Sequence, residues 1–227
     1  MTKVRYEILD HIKALAVILM ILFHFFYDLD YFKIIDINMK SKFWSVQPDI
    51  IGSLFLMAVG INLCVVHSVE IQKRKFIRRW VKLFIIAMII SFATYTIFGR
   101  DRGVYFGILH NIAISSFLAL AFLRRPLLSL LLGVLLFVPH FLLNYRYPFY
   151  QFSEKPVDHF PLLPWFGCVL IGIFLFHKNI HTLKIPDYRL KKHTTFLGRY
   201  SLEIYIGHQV ILFPVTYLIH VALGLNE

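Results

Sequence analysis

Long apolar blocks separated by short charged stretches make up almost the whole chain. A helix needs about 20 mostly apolar residues to cross the hydrocarbon layer of a bilayer, and most of the blocks reach or approach that length. The pattern therefore predicts an all-α fold, a polytopic membrane helix bundle of about seven transmembrane helices. The predicted spans lie near residues 11–29, 50–69, 80–98, 107–123, 126–143, 162–177 and 203–223.

The connections between the spans are short, and the sequence contains no internal repeat, no low-complexity tract and no Gly/Ser-rich linker. We therefore expect residues 1–227 to form a single transmembrane domain. Between the fourth and fifth spans stands Arg124-Arg125-Pro126, and proline is well tolerated at the start of a helix. This turn predicts a tight helical hairpin.

Composition agrees with a membrane protein, because 58% of the residues are hydrophobic and only 16% are charged. Soluble domains usually carry about 25% charged residues. The net charge of +11 is spread over the connections between spans, where basic residues set orientation and attract anionic lipid headgroups. The expected partners are therefore membrane lipids and not nucleic acid, which a basic face on a soluble domain would bind.

The orientation of the bundle follows from the Lys and Arg residues in its connections. Connections on alternate sides of the predicted membrane hold 17 and seven of these residues, and the richer side includes the N-terminus. Basic residues are enriched in cytoplasmic loops. With seven spans, the N-terminus is predicted to be cytoplasmic and the C-terminus outside.

Small residues inside the apolar blocks have structural interpretations. Cys64 and Cys168 are expected to be small buried residues and not a disulfide or a metal pair, and no metal site is predicted. Gly60 in the second span indicates close packing between helices.

Polar side chains at membrane depth are costly, so each is a functional candidate. His24 lies late in the first span, and Asp28 follows four residues later on the same helix face. The carboxylate could orient the imidazole, and a histidine held in this way can act as a general base. The alternative is an interfacial histidine among aromatic neighbours.

Two further candidates belong to outer ends of spans in the predicted orientation. His110 opens the fourth span and Asp158 precedes the sixth, so both are predicted to lie at a depth similar to that of His24. Each residue alone also fits a loop or interface position. Their predicted common depth is the stronger argument for a site.

His208 lies a turn and a half into the last span, and is therefore predicted to be nearer the cytoplasmic face. It could bond to backbone or to a neighbouring helix, or it could line a path from the cytoplasm. The basic residues before the third span act either as a topology signal or as a phosphate site, because arginine grips phosphate through paired hydrogen bonds. These residues are Lys73, Arg74, Lys75, Arg78, Arg79 and Lys82.

Five motifs run in order over nearly the whole chain: residues 5–16 (RYEILDHIKALA), 20–24 (MILFH), 106–111 (FGILHN), 158–167 (DHFPLLPWFG) and 197–205 (LGRYSLEIY). On these motifs the chain resembles the bacterial relatives of the heparan-α-glucosaminide N-acetyltransferase catalytic domain, within the wider group of transmembrane acyltransferases. The phrases around His110 and Trp165 are fairly specific. Many membrane acyltransferases share the last motif loosely.

The resemblance implies transfer of an acetyl group from cytoplasmic acetyl-CoA to a sugar hydroxyl or amine, a glycan modification on the outer side of a bacterial inner membrane. It implies a catalytic role for His24, which Asp28 or Asp158 would orient, while His110 would assist or bind the acceptor. The residues expected to bind acetyl-CoA are Lys13, Arg78, Arg79, Lys82 and His208.

The chain departs from the family pattern at two places. Lys13-Ala14 stands where the family usually has Arg-Gly, which keeps the charge but loses the paired hydrogen-bonding geometry of arginine. After Tyr31-Phe32-Lys33 the human enzyme has a second catalytic histidine, and this chain has Ile34. That second role is therefore empty or is taken by another residue.

Two other classes of protein compete with the enzyme. A small transporter or channel is one, although proton-coupled transporters usually carry a carboxylate in mid-membrane and no predicted span has one at its centre. A non-catalytic membrane protein of envelope assembly is the other. The sequence leaves open the acceptor, an acetyl-histidine intermediate against direct transfer, and the oligomeric state, a homodimer included.

Overall fold

The computed structural model describes residues 6–143, 145 and 158–225, except for the side chains of residues 98 and 100–102. The described residues form eight α-helices, and the one β pairing among them is an isolated bridge between Phe106 and His159. The predicted all-α fold is therefore confirmed. The helices are α1 (Glu7–Tyr31), α2 (Lys42–His67), α3 (Lys73–Arg102), α4 (Ile108–Ala119), α5 (Pro126–Leu143), α6 (Leu162–His177), α7 (Lys191–Arg199) and α8 (Ser201–Ala222).

Five of these helices are long and apolar enough to cross a membrane, namely α1, α2, α3, α5 and α8. The other two apolar helices are shorter, with 12 residues in α4 and 16 in α6. At a rise of about 1.5 Å per residue they are about 18 and 24 Å long, less than the hydrocarbon core of about 30 Å. Five predicted spans are therefore membrane-length helices, and the count of seven stays a prediction.

The described residues group into two compact units, which we call the terminal unit (residues 6–55 and 182–225) and the central unit (residues 56–181). The expectation of a single domain stays a prediction.

In the terminal unit, α1 packs against α7 and α8, and the helices run parallel. Early in α1, a side chain at Gly198 of α7 would collide with the carbonyl oxygen of Asp10. Just after the end of α1, the ring centroid of Phe32 lies 4.9 Å from that of Phe213 in α8. Later residues of α1 therefore contact later residues of α7 and α8, as expected for parallel helices.

Lys191 fixes the start of α7 against the start of α1. Its Nζ donates to Asp187 Oδ1 at 3.0 Å and to the carbonyl oxygen of Ile185 at 2.9 Å, and it lies 3.0 Å from Glu7 Oε2. The hydrogen bonds to Asp187 and Glu7 raise the pKa of Lys191 above its ordinary value of 10.5. This ammonium group therefore stays charged and links the two helices at neutral pH.

In the central unit, glycines let α6 approach both α2 and α5 at backbone distance. A Cβ at Gly172 of α6 would lie 2.2 Å from the carbonyl oxygen of Met57, and one at Gly60 of α2 would lie 2.1 Å from that of Val169. Gly167 of α6 faces α5 in the same way. Small residues at such contacts allow close packing where no hydrophobic force draws helices together. The prediction for Gly60 is confirmed.

α5 begins at Pro126, as predicted, but α4 and α5 each pack against α6, so the tight hairpin between them stays a prediction. Arg124 turns back to the end of α2, where its guanidinium donates to the carbonyl oxygens of Ser68 and Val69. Cys64 and Cys168 are both buried, as expected.

These glycine contacts predict a specific loss of stability. Gly172→Ala should lower the free energy of unfolding by about 1–3 kcal/mol, because the methyl group forces the α2 and α6 backbones apart. Thermal unfolding of the purified protein in detergent measures the effect. Gly207→Ala in α8 is the matched control, since a Cβ there has no neighbour within 4 Å. Equal melting temperatures for the two variants would contradict this account of the packing.

Candidate functional site

Four polar residues meet where α1 and α8 pack inside the terminal unit. We call His24, Asp28, His208 and Gln209 the polar quartet. The imidazole rings of His24 and His208 are in edge-to-face contact, with centroids 4.7 Å apart and planes at 77°. One turn further along α1, Gln209 Nε2 donates to Asp28, at 2.8 Å from Oδ1 and 3.0 Å from Oδ2.

Both imidazoles are fixed by a hydrogen bond to their own helix. His24 Nδ1 lies 2.9 Å from the carbonyl oxygen of Met20, and His208 Nδ1 lies 2.7 Å from that of Tyr205. A carbonyl oxygen can only accept, so each Nδ1 must carry its proton. In each neutral ring Nε2 therefore holds the lone pair. This tautomer can take a proton from a substrate at Nε2.

The orientation of His24 differs from the prediction. His24 and Asp28 share a helix face, but Met20 and not Asp28 binds the imidazole nitrogen. Asp28 is 1% exposed, and its carboxylate accepts hydrogen bonds from Gln209. Asp28 thus joins α8 to α1, and the helix backbone itself orients the imidazole.

The sequence predicts His208 nearer the cytoplasmic face and His24 near the outer face, but the structure brings their two rings into contact. His24 lies about 25 Å along α1 from Glu7, whereas His208 lies only about 10 Å along α8 from Ser201. Their rings nevertheless touch. The nine residues of α7 account for the difference, because α7 packs along the first turns of α1 and α8 starts beyond them.

Two acceptor atoms of the quartet lack a protein donor. In the part of the chain that the structure describes, His208 Nε2 and Gln209 Oε1 are buried and make no hydrogen bond. A buried acceptor without a donor costs about 1–3 kcal/mol. Such atoms suit a ligand that brings N–H or O–H groups. The quartet can therefore accept protons and hydrogen bonds from a substrate.

Sequence reasoning found His24 but missed its partner and the role of Gln209. The available signal was the polar pair His208-Gln209 inside the apolar last span. The pairing itself depends on how far α8 is shifted along α1, and no local pattern in the sequence contains that shift.

The predicted acetyl-CoA ligands are divided between the two units. In the terminal unit, Lys13 Nζ pairs with the buried Asp10 at 3.1 Å. In the central unit, Arg78, Arg79 and Lys82 are exposed on the first turns of α3. Residues three and four apart share a helix face, so these three form one basic stripe. Binding of acetyl-CoA by these residues stays a prediction.

His110 belongs to the central unit and has both ring nitrogens occupied. The backbone N–H of Gly107 donates to His110 Nδ1 at 3.2 Å, so Nε2 carries the proton. Nε2 then donates to the hydroxyl oxygen of Ser91 at 3.3 Å, and that hydroxyl donates to the carbonyl oxygen of Val104. In this arrangement His110 stabilises the start of α4.

Asp158 caps the same helix. Its Oδ2 accepts from the backbone N–H of Ile108 at 3.2 Å, where a carboxylate is favourable at the positive end of the helix dipole. Gly107 makes room, because a Cβ there would lie 2.2 Å from that oxygen. Catalytic roles for His110 and Asp158, and a common depth with His24, stay predictions.

The two motifs around His110 and Asp158 are thus joined in space. Asn111 Nδ2 donates to the carbonyl oxygens of Phe160 and Pro161, at 3.0 and 2.7 Å, and the Phe106–His159 bridge lies beside them. Burial lowers the pKa of His159 below its ordinary value of 6.5. No cluster of three or more potential metal-ligating side chains occurs within the described ranges.

The five membrane-length helices are those of a multi-pass membrane protein, and the polar quartet lies where the first and the last of them pack. Residues 5–210 match the family described as heparan-alpha-glucosaminide N-acetyltransferase, catalytic. The match covers most of the chain, so this protein belongs to that family of transmembrane acetyltransferases, which in general use acetyl-CoA as donor. No curated protein and no solved structure matches the chain.

The Asp28–Gln209 contact predicts a coupling between the two helices. Gln209→Leu should lower the free energy of unfolding by about 1–3 kcal/mol, because it leaves the buried carboxylate without its donor. The double variant Asp28→Leu/Gln209→Leu should recover most of that loss, since neither polar partner remains. Thermal unfolding in detergent compares the variants. Strictly additive losses would contradict the contact.

The cap at α4 predicts a smaller effect in the central unit. Asp158→Ala should lower the free energy of unfolding by about 0.5–2 kcal/mol, because the N–H of Ile108 loses its acceptor. Asp158→Asn, which keeps a side-chain oxygen, should retain much of the stability. A chemical-denaturation series on the purified protein separates the two variants, and an unchanged Asp158→Ala midpoint would refute the cap.

Proposed function

We propose that this protein transfers an acetyl group from cytoplasmic acetyl-CoA to a sugar or other glycan acceptor on the far side of a bacterial inner membrane. The observation that carries the proposal is the geometry of His24. Its Nδ1 proton is held by Met20, so its Nε2 lone pair is free to act as a base within a membrane-length helix. Membership of the acetyltransferase family supports acetyl transfer as the reaction in which that base acts.

In the proposed reaction, the acceptor atom attacks the carbonyl carbon of the acetyl thioester while His24 Nε2 removes the proton from that atom. The new bond to the acetyl carbon forms, the C–S bond breaks, and the thiolate of CoA leaves with its electron pair. His24 then returns a proton to the thiolate. General base catalysis of this kind contributes about 10²- to 10⁴-fold in rate. An acetyl-histidine route would use the same lone pair as nucleophile.

The parallel packing of α1 and α8 supports the proposed topology. Two parallel helices that both cross a membrane start on the same side, so the chain then crosses an odd number of times. With the basic connections inside, the N-terminus would be cytoplasmic and the C-terminus outside. The exposed stripe of Arg78, Arg79 and Lys82 would then face the cytoplasm, where guanidinium and ammonium groups can bind the phosphates of CoA.

The other predicted site residues take positioning roles in this proposal. Asp28 is engaged by Gln209, and Lys13 is paired with Asp10. His110 and Asp158 are engaged at the start of α4. Since these polar atoms already have partners, the proposal gives the proton transfer to His24 and gives these four residues the task of holding helices in place.

Reconstitution in liposomes tests the proposal. Labelled acetyl-CoA is supplied at the cytoplasmic face of the protein, and a panel of sugars that includes glucosamine is supplied at the opposite face. The wild type should form an acetylated sugar. His24→Gln should lower the rate by about 10²- to 10⁴-fold. His193→Gln, an exposed histidine of α7, is the matched control and should retain the wild-type rate.

Each failure in this experiment has a separate meaning. If the wild-type protein neither hydrolyses acetyl-CoA nor acetylates any sugar, the proposal of an enzyme is refuted. A transporter or an assembly protein would then be the better proposal. Wild-type activity in His24→Gln would keep the enzyme and remove the assignment of the base.

A further inference from the structure

His208 makes the same arrangement as His24 from the opposite helix. Each ring gives its Nδ1 proton to a backbone carbonyl of its own helix, and each therefore presents the lone pair of Nε2. The two rings are in contact at 4.7 Å between centroids. The two Nε2 atoms cannot hydrogen-bond to each other, because both are acceptors.

One atom of His208, Nε2, lacks a hydrogen-bond partner among the described residues. It is buried between helices. The ring faces His24 on α1 and Tyr205 on its own helix, and Asp28 lies one turn further along α1. None of these residues donates a hydrogen bond to that nitrogen. A substrate proton would complete the site.

We propose that His208 is the second base of the reaction, acting on the same acceptor atom as His24. The inference rests on the proposed acetyl transfer, and it concerns an acceptor whose reacting nitrogen enters as an ammonium group. Such a nitrogen has to lose two protons to become an amide. One base can hold only one of them at a time, and two imidazole rings in contact can hold both.

The balanced sequence has four changes. His208 Nε2 takes the first proton from the ammonium group and leaves a lone pair on the nitrogen. That nitrogen attacks the thioester carbon, and His24 Nε2 takes the second proton as the C–N bond forms. The C–S bond breaks, and the departing thiolate receives the proton from His24. His208 gives its proton to water, so the net products are the amide, the thiol of CoA and one proton.

Kinetics with glucosamine as the acceptor probe test this role in the reconstituted full-length protein. At neutral pH, His208→Gln should lower kcat by about 10²-fold or more and leave the KM for acetyl-CoA nearly unchanged. At alkaline pH the acceptor amine is already a free base, so His208→Gln should regain most of the wild-type rate. His24→Gln should not recover, because the second proton still has to leave.

Two further variants separate this role from packing. His208→Phe keeps an aromatic ring against His24 and should behave like His208→Gln, including the recovery at alkaline pH. His220→Gln, on the same helix beside Phe32, should retain wild-type kinetics throughout. Melting temperatures in detergent establish that each variant is folded.

The outcomes are distinct. A wild-type rate in His208→Gln at neutral pH overturns the inference, and so does a loss of equal size at neutral and alkaline pH, which is the behaviour of a residue that only packs against His24. A wild type inactive towards glucosamine and every other sugar overturns the proposed function instead, and the inference with it.

Discussion

A polar group inside a bilayer has no water to bond, so it must find its partner within the protein. The hydrogen bonds from Gln209 to Asp28 meet that requirement between α1 and α8. Apolar side chains allow two parallel helices to slide and rotate with little penalty, whereas a buried amide and carboxylate match in one register only. That register brings His208 against His24. The candidate site therefore depends on a contact that takes no part in the proposed chemistry.

The central unit solves a different problem with different residues. There, glycines bring the backbones of α2, α5 and α6 together, and side chains satisfy the exposed ends of helices. Asp158 and His110 both serve the start of α4, and Arg124 serves the end of α2. These three residues of the central unit are occupied with structure, whereas His208 and Gln209 of the quartet retain unused acceptors among the described residues.

Much of the fold could be predicted because hydropathy is a local property of the chain. The all-α class, five membrane-length helices and the turn before Pro126 follow from apolar blocks and one proline. Both α2 and α3 begin about two turns before their predicted spans, because polar residues can continue a helix beyond its apolar block. α6 begins after Pro161 and matches its predicted span, whereas α4 ends at Ala119, four residues before the end of its predicted span, in a stretch that contains no proline or glycine.

The candidate site could be predicted only in part. His24 was detectable because a histidine in an apolar block is costly. Spacing of four residues placed Asp28 on the same face, but the Met20 carbonyl is also four residues away and takes the bond. The depth of His208 and its pairing with His24 depend on α7, which lies outside every apolar block. The sequence did not reveal the register of α8 against α1, which residues far apart in the chain determine.

The length of α7 thus acts as a spacer. Its nine residues, anchored by Lys191 at one end and by the close contact of Gly198 with Asp10 at the other, set the height at which α8 begins. One residue more or less between Gly198 and His208 would turn α8 by about 100° and move it by about 1.5 Å. The two imidazoles would then face different directions although every side chain was unchanged. In this protein, the alignment of two reactive groups therefore depends on the number of residues between His208 and a packing contact at Gly198 that takes no part in the chemistry.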